Sequence, residues 1–296
     1  MTCLRWLAGF LLLGMMMAPA YCAPFSQKPD TGRKPQPCQD DTVRLVLDRM
    51  KQAAHRRHAP SYVPTAEDVV NAVCKASPTS AGNIIAAVAY LQKPDTDGEV
   101  ASTVELALID ARRHQVIALG DSGIYSGGPN PRFDEASLWI DTARYDLAPG
   151  VRAFGIEAMD GYSPSCGDGI PGPARYLFIR DGGKIRPVLQ GLSMSHQWLV
   201  QRGEDNCNTA ASPQTRPVTE SSGATLSLAD TSSHGYRDLW VRNSFVIDDE
   251  KLSGACRYKL KYDGTKYPLE PAESVCDQAE RAFVKAAVQR LHLKSP

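Results

Sequence analysis

The chain has 296 residues, of which 43% are hydrophobic and 22% are charged, with 33 basic and 33 acidic side chains. This is the composition of a globular protein, and the length allows one or two domains with a large buried core. Since the formal net charge is zero, the chain lacks the basic excess expected of a protein that binds nucleic acid. The composition therefore excludes disordered, collagen-like and nucleic-acid-binding classes.

The N-terminus carries the pattern of a secretory signal peptide. Arg5 is followed by an apolar run from Leu7 to Ala18, and the small residues Ala18 and Ala20 have the spacing that signal peptidase accepts. The run is shorter than the roughly 20 apolar residues of a membrane span, and no later stretch approaches that length. We therefore expect a signal peptide over residues 1–23, no transmembrane segment after its cleavage, and a periplasmic or secreted protein.

Six cysteines follow the predicted signal region, namely Cys38, Cys74, Cys166, Cys207, Cys256 and Cys276. An even number of cysteines in an exported chain indicates disulfide bonds. Six cysteines allow about 15 pairings, of which we favour the sequential one. The sequential pairs are Cys38–Cys74, Cys166–Cys207 and Cys256–Cys276. No two of these cysteines have the close spacing of a zinc site.

The order of predicted elements indicates an α+β fold. A proline-rich flexible leader covers residues 24–37, and a helical hairpin follows over residues 38–78, its second helix capped by Thr65. Residues 83–270 alternate short apolar runs with turn residues, which predicts a mainly antiparallel sheet, either a sandwich or an incomplete barrel. A C-terminal helix over residues 272–294 packs on this β domain. The prediction thus comprises two N-terminal helices, the sheet and one C-terminal helix.

Gly120, Asp121, Ser122 and Gly123 form the most conspicuous short motif of the chain. It resembles the nucleophile motifs of trypsin-like proteases and of GDS esterases, and either resemblance implies a reactive Ser122 with a histidine base within hydrogen-bond reach. Ile124 stands where the proteases have glycine, and the late Asp-x-x-His pair of the esterases is missing. We therefore interpret the motif as a turn after a strand. A periplasmic serine hydrolase using Ser122 is the alternative.

The segment from Asp230 to Asp238 has the layout of a calcium-binding loop, with polar residues at alternate positions and Gly235 at the sixth. It resembles one FG-GAP loop of an integrin-type propeller, which implies calcium ligands at Asp230, Ser232 and Asp238. His234 replaces an expected oxygen ligand, and imidazole binds hard cations poorly. We expect a hairpin turn at Gly235 without a bound metal.

Two long polar loops are the predicted binding elements. Residues 160–173 are rich in glycine and proline around Cys166, and residues 202–213 contain Cys207. Long loops on a rigid scaffold are common locations of binding sites. The candidate contact residues are Asp160, Tyr162, Asp168 and Asp205. His196 alternates with Trp198 along a predicted strand, and we interpret it as a structural residue of the sheet.

Residues 140–155, 231–241 and 257–267 resemble a pattern of exported β-rich bacterial proteins of uncharacterised function. The resemblance covers most of residues 84–268 and implies an exported β protein, without a catalytic residue to transfer. The function predicted from the sequence is that of an exported, disulfide-stabilised, non-enzymatic protein that binds a macromolecule or an envelope component. No cofactor is predicted.

Overall fold

The computed structural model describes residues 36–57, 62–94, 100–127, 133, 136–159, 169–201, 218–247 and 252–291. Within these ranges the helices are α1 (Asp40–Arg57) and α2 (Ser274–Arg290), with a 3₁₀ turn at Ala66–Asp68. The strands are β1 (Val69–Ala76), β2 (Asn83–Leu91), β3 (Ser102–Asp110), β4 (Gln115–Ser126), β5 (Leu138–Ala148), β6 (Val151–Ala158), β7 (Gly169–Pro171), β8 (Ala174–Asp181), β9 (Lys184–Ser193), β10 (Ser195–Gln201), β11 (Val218–Ser233), β12 (Tyr236–Ile247) and β13 (Leu252–Leu260). The predicted signal peptide lies outside the described residues.

The strands form two sheets. The larger has eight strands in the order β1-β2-β3-β4-β9-β8-β6-β5, and the smaller has five in the order β13-β12-β11-β10-β7. Neighbouring strands are antiparallel, but β4 and β9 are parallel. The fold is broadly the predicted α+β arrangement, with the correction that the larger sheet is mixed.

The larger sheet is curled, so that its edge strands β1 and β5 approach each other. Lys75 Nζ on β1 donates a hydrogen bond to the carbonyl oxygen of Ile140 on β5 at 3.2 Å, and the Ile140 N–H donates to Oε1 of Gln36 at 3.3 Å. Buried apolar side chains fill the inside of the curl, among them Ile85, Leu106, Ile156 and Phe178. Burial of these side chains removes apolar surface from water and is the main stabilising contribution here.

Two layers cover the outside of the curl. Helix α1 packs Val46, Leu47 and Met50 against β2, β3 and β4. The smaller sheet packs Leu239 and Leu260 against the outer face of the other half of the larger sheet. Because strands such as β2 are covered on both faces, their sequences are nearly continuous apolar runs rather than alternating ones.

Residues 69–76 form strand β1, whereas the sequence predicted a second helix there. The capping motif exists, since the backbone N–H and the hydroxyl of Thr65 both donate to Oδ2 of Asp68, but it closes only the 3₁₀ turn. Val69, Val70 and Val73 are β-branched and suit a strand, and pairing with β2 buries Val73 in the core. The predicted helical hairpin over residues 38–78 is therefore one helix and one strand.

Disulfide bonds join Cys38 to Cys74 and Cys256 to Cys276, which are two of the three pairs favoured by the sequence. Cys166 and Cys207 lie outside the described residues. The last two residues of the predicted leader are attached to the sheet, because Pro37 bridges Val73 and the carbonyl oxygen of Gln36 accepts from the Cys74 N–H at 2.7 Å. The first disulfide thus anchors α1 to β1, and the second anchors α2 to β13.

Candidate functional site

Helix α2 lies across one end of the smaller sheet and leaves a cleft beside β10 and β11. Phe283 of α2 packs against Phe245 with ring centroids 6.0 Å apart. It also rests on Gly254, where a Cβ would come within 2.9 Å of its ring, so the missing side chain makes room for the helix. The cleft that remains has a volume of about 580 Å³.

The cleft has an apolar wall and a charged floor. Trp198 and Val200 of β10 face Val284 and Val288 of α2. The charged residues that line the cleft are His196, Glu220, Asp277, Glu280, Arg281 and Lys285. A concave apolar site with a few converging polar groups is the usual form of a small-molecule site.

Strand pairing places the floor residues on one face of the sheet. His196 lies directly opposite Ser222 across β10 and β11, and Trp198 lies opposite Glu220. Residues two apart in a strand point to the same side, so all four side chains face α2. Glu280 reaches the same point from the helix.

The ring of His196 is held between two carboxylates and a hydroxyl group. Its Nε2 lies 2.6 Å from Oε1 of Glu280 and 3.3 Å from Oε2 of Glu220, and its Nδ1 lies 2.8 Å from Oγ of Ser222. Burial by itself would lower the pKa of His196, but the contacts and negative charges of the two glutamates outweigh it and raise that pKa to about 9. The metal-free imidazole is therefore protonated at neutral pH.

Glu220 is left without a hydrogen-bond donor. A protonated imidazole has two N–H groups, and in this geometry they go to Ser222 and Glu280. Neither oxygen of Glu220 accepts a hydrogen bond from the described residues, although its side chain is only 1% exposed. The imidazolium 3.3 Å from Oε2 offsets part of the charge of Glu220, but a buried carboxylate that accepts no hydrogen bond still costs free energy. The ligating atoms of His196, Glu220 and Glu280 all lie within 4.8 Å of one another, so these three residues could hold a metal ion.

Ser122 lies inside strand β4, so the predicted turn at Gly120–Gly123 is wrong. Its side chain is buried, and its hydroxyl donates to the carbonyl oxygen of Val104 at 2.6 Å and accepts from the Ile124 N–H at 2.9 Å. The register of β4 against β3 shifts at this point, and Gly123 has a φ of 66°. The motif is therefore a β-bulge, and the Ser122 hydroxyl hydrogen-bonds to the backbone of both β3 and β4.

The two acids of the calcium-like segment lie in different surroundings. The segment forms the hairpin between β11 and β12, with His234 and Gly235 at φ values of 48° and 86°. Asp230 is fully exposed, whereas Asp238 is buried and accepts a hydrogen bond from the Thr231 hydroxyl at 2.6 Å. A carboxylate in solvent and a carboxylate inside the protein do not provide one shared cation position.

The predicted loop contacts lie outside the described residues: Asp160, Tyr162, Asp168 and Asp205, together with Cys166 and Cys207. The strand ends next to these loops are described. Gly169 pairs with Trp198, and Val218 pairs with Gln201. The described strand ends that flank the two loops, Gly169 and Val218, therefore both pair with β10 or lie next to it.

The sequence pattern did not predict Glu220, Ser222 or Glu280 as site residues, and it indicated a structural role for His196. One signal was available, since Glu220 and Ser222 alternate along a strand whose same-face neighbour Val218 is apolar. A charged residue at such a position is uncommon unless it has a partner. Residues 202–217 separate β10 from β11 in the chain, and the register in which these two strands pair brings Glu220 next to His196.

Comparison of the chain with protein-family models, with curated proteins and with solved structures found no match. None of the helices in the described part of the chain is long and apolar enough to span a membrane. Fold and site together define a β-rich, disulfide-stabilised protein with a cleft between its C-terminal helix and a five-stranded sheet. Its function has to be argued from the chemistry of that cleft.

Proposed function

We propose that the protein is an exported binding protein and that the cleft between α2 and the strands β10 and β11 is its ligand site. The observation that carries the proposal is the pairing of Trp198, which is 42% exposed, with the fully buried Glu220. A large aromatic group at the mouth of a cleft with a charged floor marks an interaction site. The two disulfide bonds support export, because such bonds persist in oxidising compartments.

The cleft suits an elongated molecule with an apolar body and a cationic head. Val284, Val288 and Trp198 offer the apolar surface. At the floor, one protonated imidazole stands between two carboxylates, which leaves one negative charge locally, whereas the other charged residues of the cleft, one acid and two bases, bring the sum of its charges to zero. A cationic head would supply the donor that Glu220 lacks, and the volume of the cleft lies within the usual range of roughly 300–1,000 Å³ for small-ligand sites.

Serine hydrolysis fits the same residues less well. Ser222 and His196 are within hydrogen-bond reach, but a base with a pKa raised to about 9 is already protonated at neutral pH and cannot accept the serine proton. Ser122 is buried within a strand pair and is bonded at both its donor and its acceptor side. Binding is therefore the function that the geometry supports best.

Calorimetric titration with two probes of equal chain length, dodecylamine and dodecanoate, tests the proposal. The mature chain is kept metal-free with a chelator, and both probes stay below their micellar concentrations. We expect saturable binding of the amine with one site per chain, and at least about tenfold weaker binding of the carboxylate, which corresponds to about 1.4 kcal/mol. We also expect Trp198→Ala and Glu220→Gln each to weaken binding of the amine.

Trp240→Phe is the matched control for Trp198→Ala. Trp240 lies on the outer face of the same sheet, where the Arg257 guanidinium stacks on its ring at 3.5 Å, so its replacement should leave the affinity unchanged. Absence of saturable amine binding, or unchanged affinity in Trp198→Ala, would contradict the assignment of the cleft.

A further inference from the structure

We infer that the floor of the cleft is a divalent-cation site in which Zn²⁺ is bound by Nε2 of His196 and by one carboxylate oxygen each of Glu220 and Glu280. This goes beyond the proposed binding function, since the three residues can hold an ion whether or not the cleft takes an organic ligand. Three observations support it: the distances between the ligand atoms, the state of Glu220, and the partner of the second ring nitrogen.

The ligand atoms already have nearly the spacing of a metal site. Ligands about 2.0–2.1 Å from a tetrahedral Zn²⁺ ion are roughly 3.3 Å from one another. Nε2 of His196 lies 3.3 Å from Oε2 of Glu220, and all three ligand atoms lie within 4.8 Å of one another. Oε1 of Glu280 lies 2.6 Å from Nε2, so it would have to move roughly 0.7 Å away from Nε2 and also toward the ligand oxygen of Glu220, which lies no more than 4.8 Å away. Glu280 is a long side chain at the cleft surface, so this movement requires no change of the backbone.

Glu220 provides the independent observation that points to a ligand. Its side chain is 1% exposed, it faces the cluster, and neither of its oxygens accepts a hydrogen bond from the part of the chain that the structure describes. One proton on Nε2 can bond one carboxylate, and it bonds Glu280. A divalent ion at the same place would contact both carboxylates at once and would neutralise both charges.

Ser222 holds the His196 ring through its second nitrogen, Nδ1, as polar groups commonly hold the rings of metal-bound histidines. With the Nδ1–H donated to the Ser222 hydroxyl, the neutral tautomer presents the lone pair of Nε2 to the ion. Binding therefore displaces the Nε2 proton, which leaves to the solvent as the Zn–N bond forms. Three protein ligands leave a fourth position of a tetrahedral ion open toward the cleft.

The ligand set selects Zn²⁺ over the hard cations. Imidazole nitrogen with carboxylate oxygen suits zinc, whereas Ca²⁺ needs about six to eight oxygen ligands and Mg²⁺ needs an octahedron of them. The cluster offers two carboxylates and one nitrogen. We therefore expect Ca²⁺ and Mg²⁺ to compete poorly.

The test uses the mature chain, freed of metal with a chelator that is then removed, and Zn²⁺ alone as the probe. Calorimetry and elemental analysis should give one tightly bound Zn²⁺ per chain, and the binding enthalpy should vary with the ionisation enthalpy of the buffer because a proton is released. Glu220→Gln and Glu280→Gln should each weaken binding by more than about 100-fold, the upper range for loss of an outer-shell partner. Ser222→Ala should weaken it about tenfold and keep the stoichiometry.

The controls are two variants outside the cleft, Glu67→Gln in the 3₁₀ turn and His55→Gln on α1. Both should bind Zn²⁺ as the wild type does. Melting curves of the metal-free variants separate loss of a ligand from loss of folding, since Glu220→Gln removes a buried charge and should keep the fold. Binding that is absent from the wild type, or unchanged in Glu220→Gln, would overturn the assignment, and equal affinity for Ca²⁺ would overturn the choice of zinc.

The two proposals for the cleft can fail separately. Bound Zn²⁺ neutralises the carboxylates, so it should lower the affinity for dodecylamine. Amine binding without any Zn²⁺ binding would retain the ligand cleft and reject the metal site. Zn²⁺ binding without amine binding would retain the metal site and reject the ligand cleft.

Discussion

Nε2 of His196 on β10 lies 2.6 Å from Oε1 of Glu280 on α2, although the two residues are 84 positions apart in the chain. This contact fastens the middle of the C-terminal helix to the sheet, while the disulfide bond at Cys276 fastens its first turn. The position of α2 thus depends on a titratable contact and on a redox-sensitive bond. Both lend themselves to direct tests.

The contact at His196 should make stability depend on pH. The pKa of His196 is raised from 6.5 to about 9 in the folded protein, so the folded state holds the proton more tightly than the unfolded state. The stabilisation is fully present below pH ~6.5 and is lost as the pH rises toward ~9. Allowing for solvent screening, we expect a loss on the order of 1–2 kcal/mol.

Denaturant unfolding in the presence of a chelator measures this loss in the wild type and in His196→Gln. Asp277, Arg281 and Lys285 also line the cleft and are the same in both proteins, so the difference between the two unfolding free energies reports His196 together with the two glutamates that it contacts. That difference should be larger at pH ~6 than at pH ~9. A difference independent of pH would mean that folding does not raise the pKa of His196.

Removal of the second disulfide bond should release α2 before the sheets unfold. Cys256 and Cys276 are 20 positions apart, and closure of such a loop contributes about 3 kcal/mol. In Cys256→Ser with Cys276→Ser, hydrogen exchange should rise across Ser274–Arg290 while β12 stays protected. The double variant Cys38→Ser with Cys74→Ser is the control, because it frees α1 and should leave exchange of α2 unchanged. An equal rise in exchange across all strands of the smaller sheet would contradict this order.

Ser122→Ala should destabilise the fold and remove no reactivity. The variant deprives the Val104 carbonyl and the Ile124 N–H of a buried partner, which costs about 1–3 kcal/mol. Ser227→Ala, at an exposed position of β11, should cost almost nothing. Thermal and denaturant unfolding measure both variants. Labelling of Ser122 in the wild type by a fluorophosphonate probe would support a serine hydrolase instead.

Gly235→Val should destabilise the hairpin through its backbone conformation alone. Gly235 has a φ of 86°, and a Cβ there would meet no atom within 4 Å. A β-branched residue is strained in this region by about 1–3 kcal/mol. Gly183 has equally free space around its Cβ position but no positive φ, so Gly183→Val should cost less. Similar unfolding free energies for the two variants would refute the conformational explanation.

Several features followed from the sequence because their causes are local. Tyr258 and Leu260 alternate with Arg257 and Lys259, and this alternation predicts a strand with one buried face, as β13 has. The apolar run over residues 84–91 predicts a strand, and β2 covers it. Helix α2 follows from the helical spacing of its apolar residues.

Two local signals were overruled by pairing with neighbouring strands. The Thr65 motif indicated a helix, but hydrogen bonding to β2 and burial of Val73 make residues 69–76 a strand. Gly120 and Gly123 indicated a turn, but β4 continues through them as a bulge because β3 offers backbone partners on both sides of it. Local propensity amounts to tenths of a kcal/mol per residue, which tertiary burial outweighs.

The cleft was decided by tertiary structure alone. Its floor joins His196 of β10, Glu220 of β11 and Glu280 of α2, and no pair of these residues lies at a spacing that local geometry relates. Alternation tells which side of its own strand each residue occupies. Which residues meet is then determined by the register between β10 and β11 and by the packing of α2 on Gly254. Such contacts depend on the packing of whole elements, which local sequence does not specify.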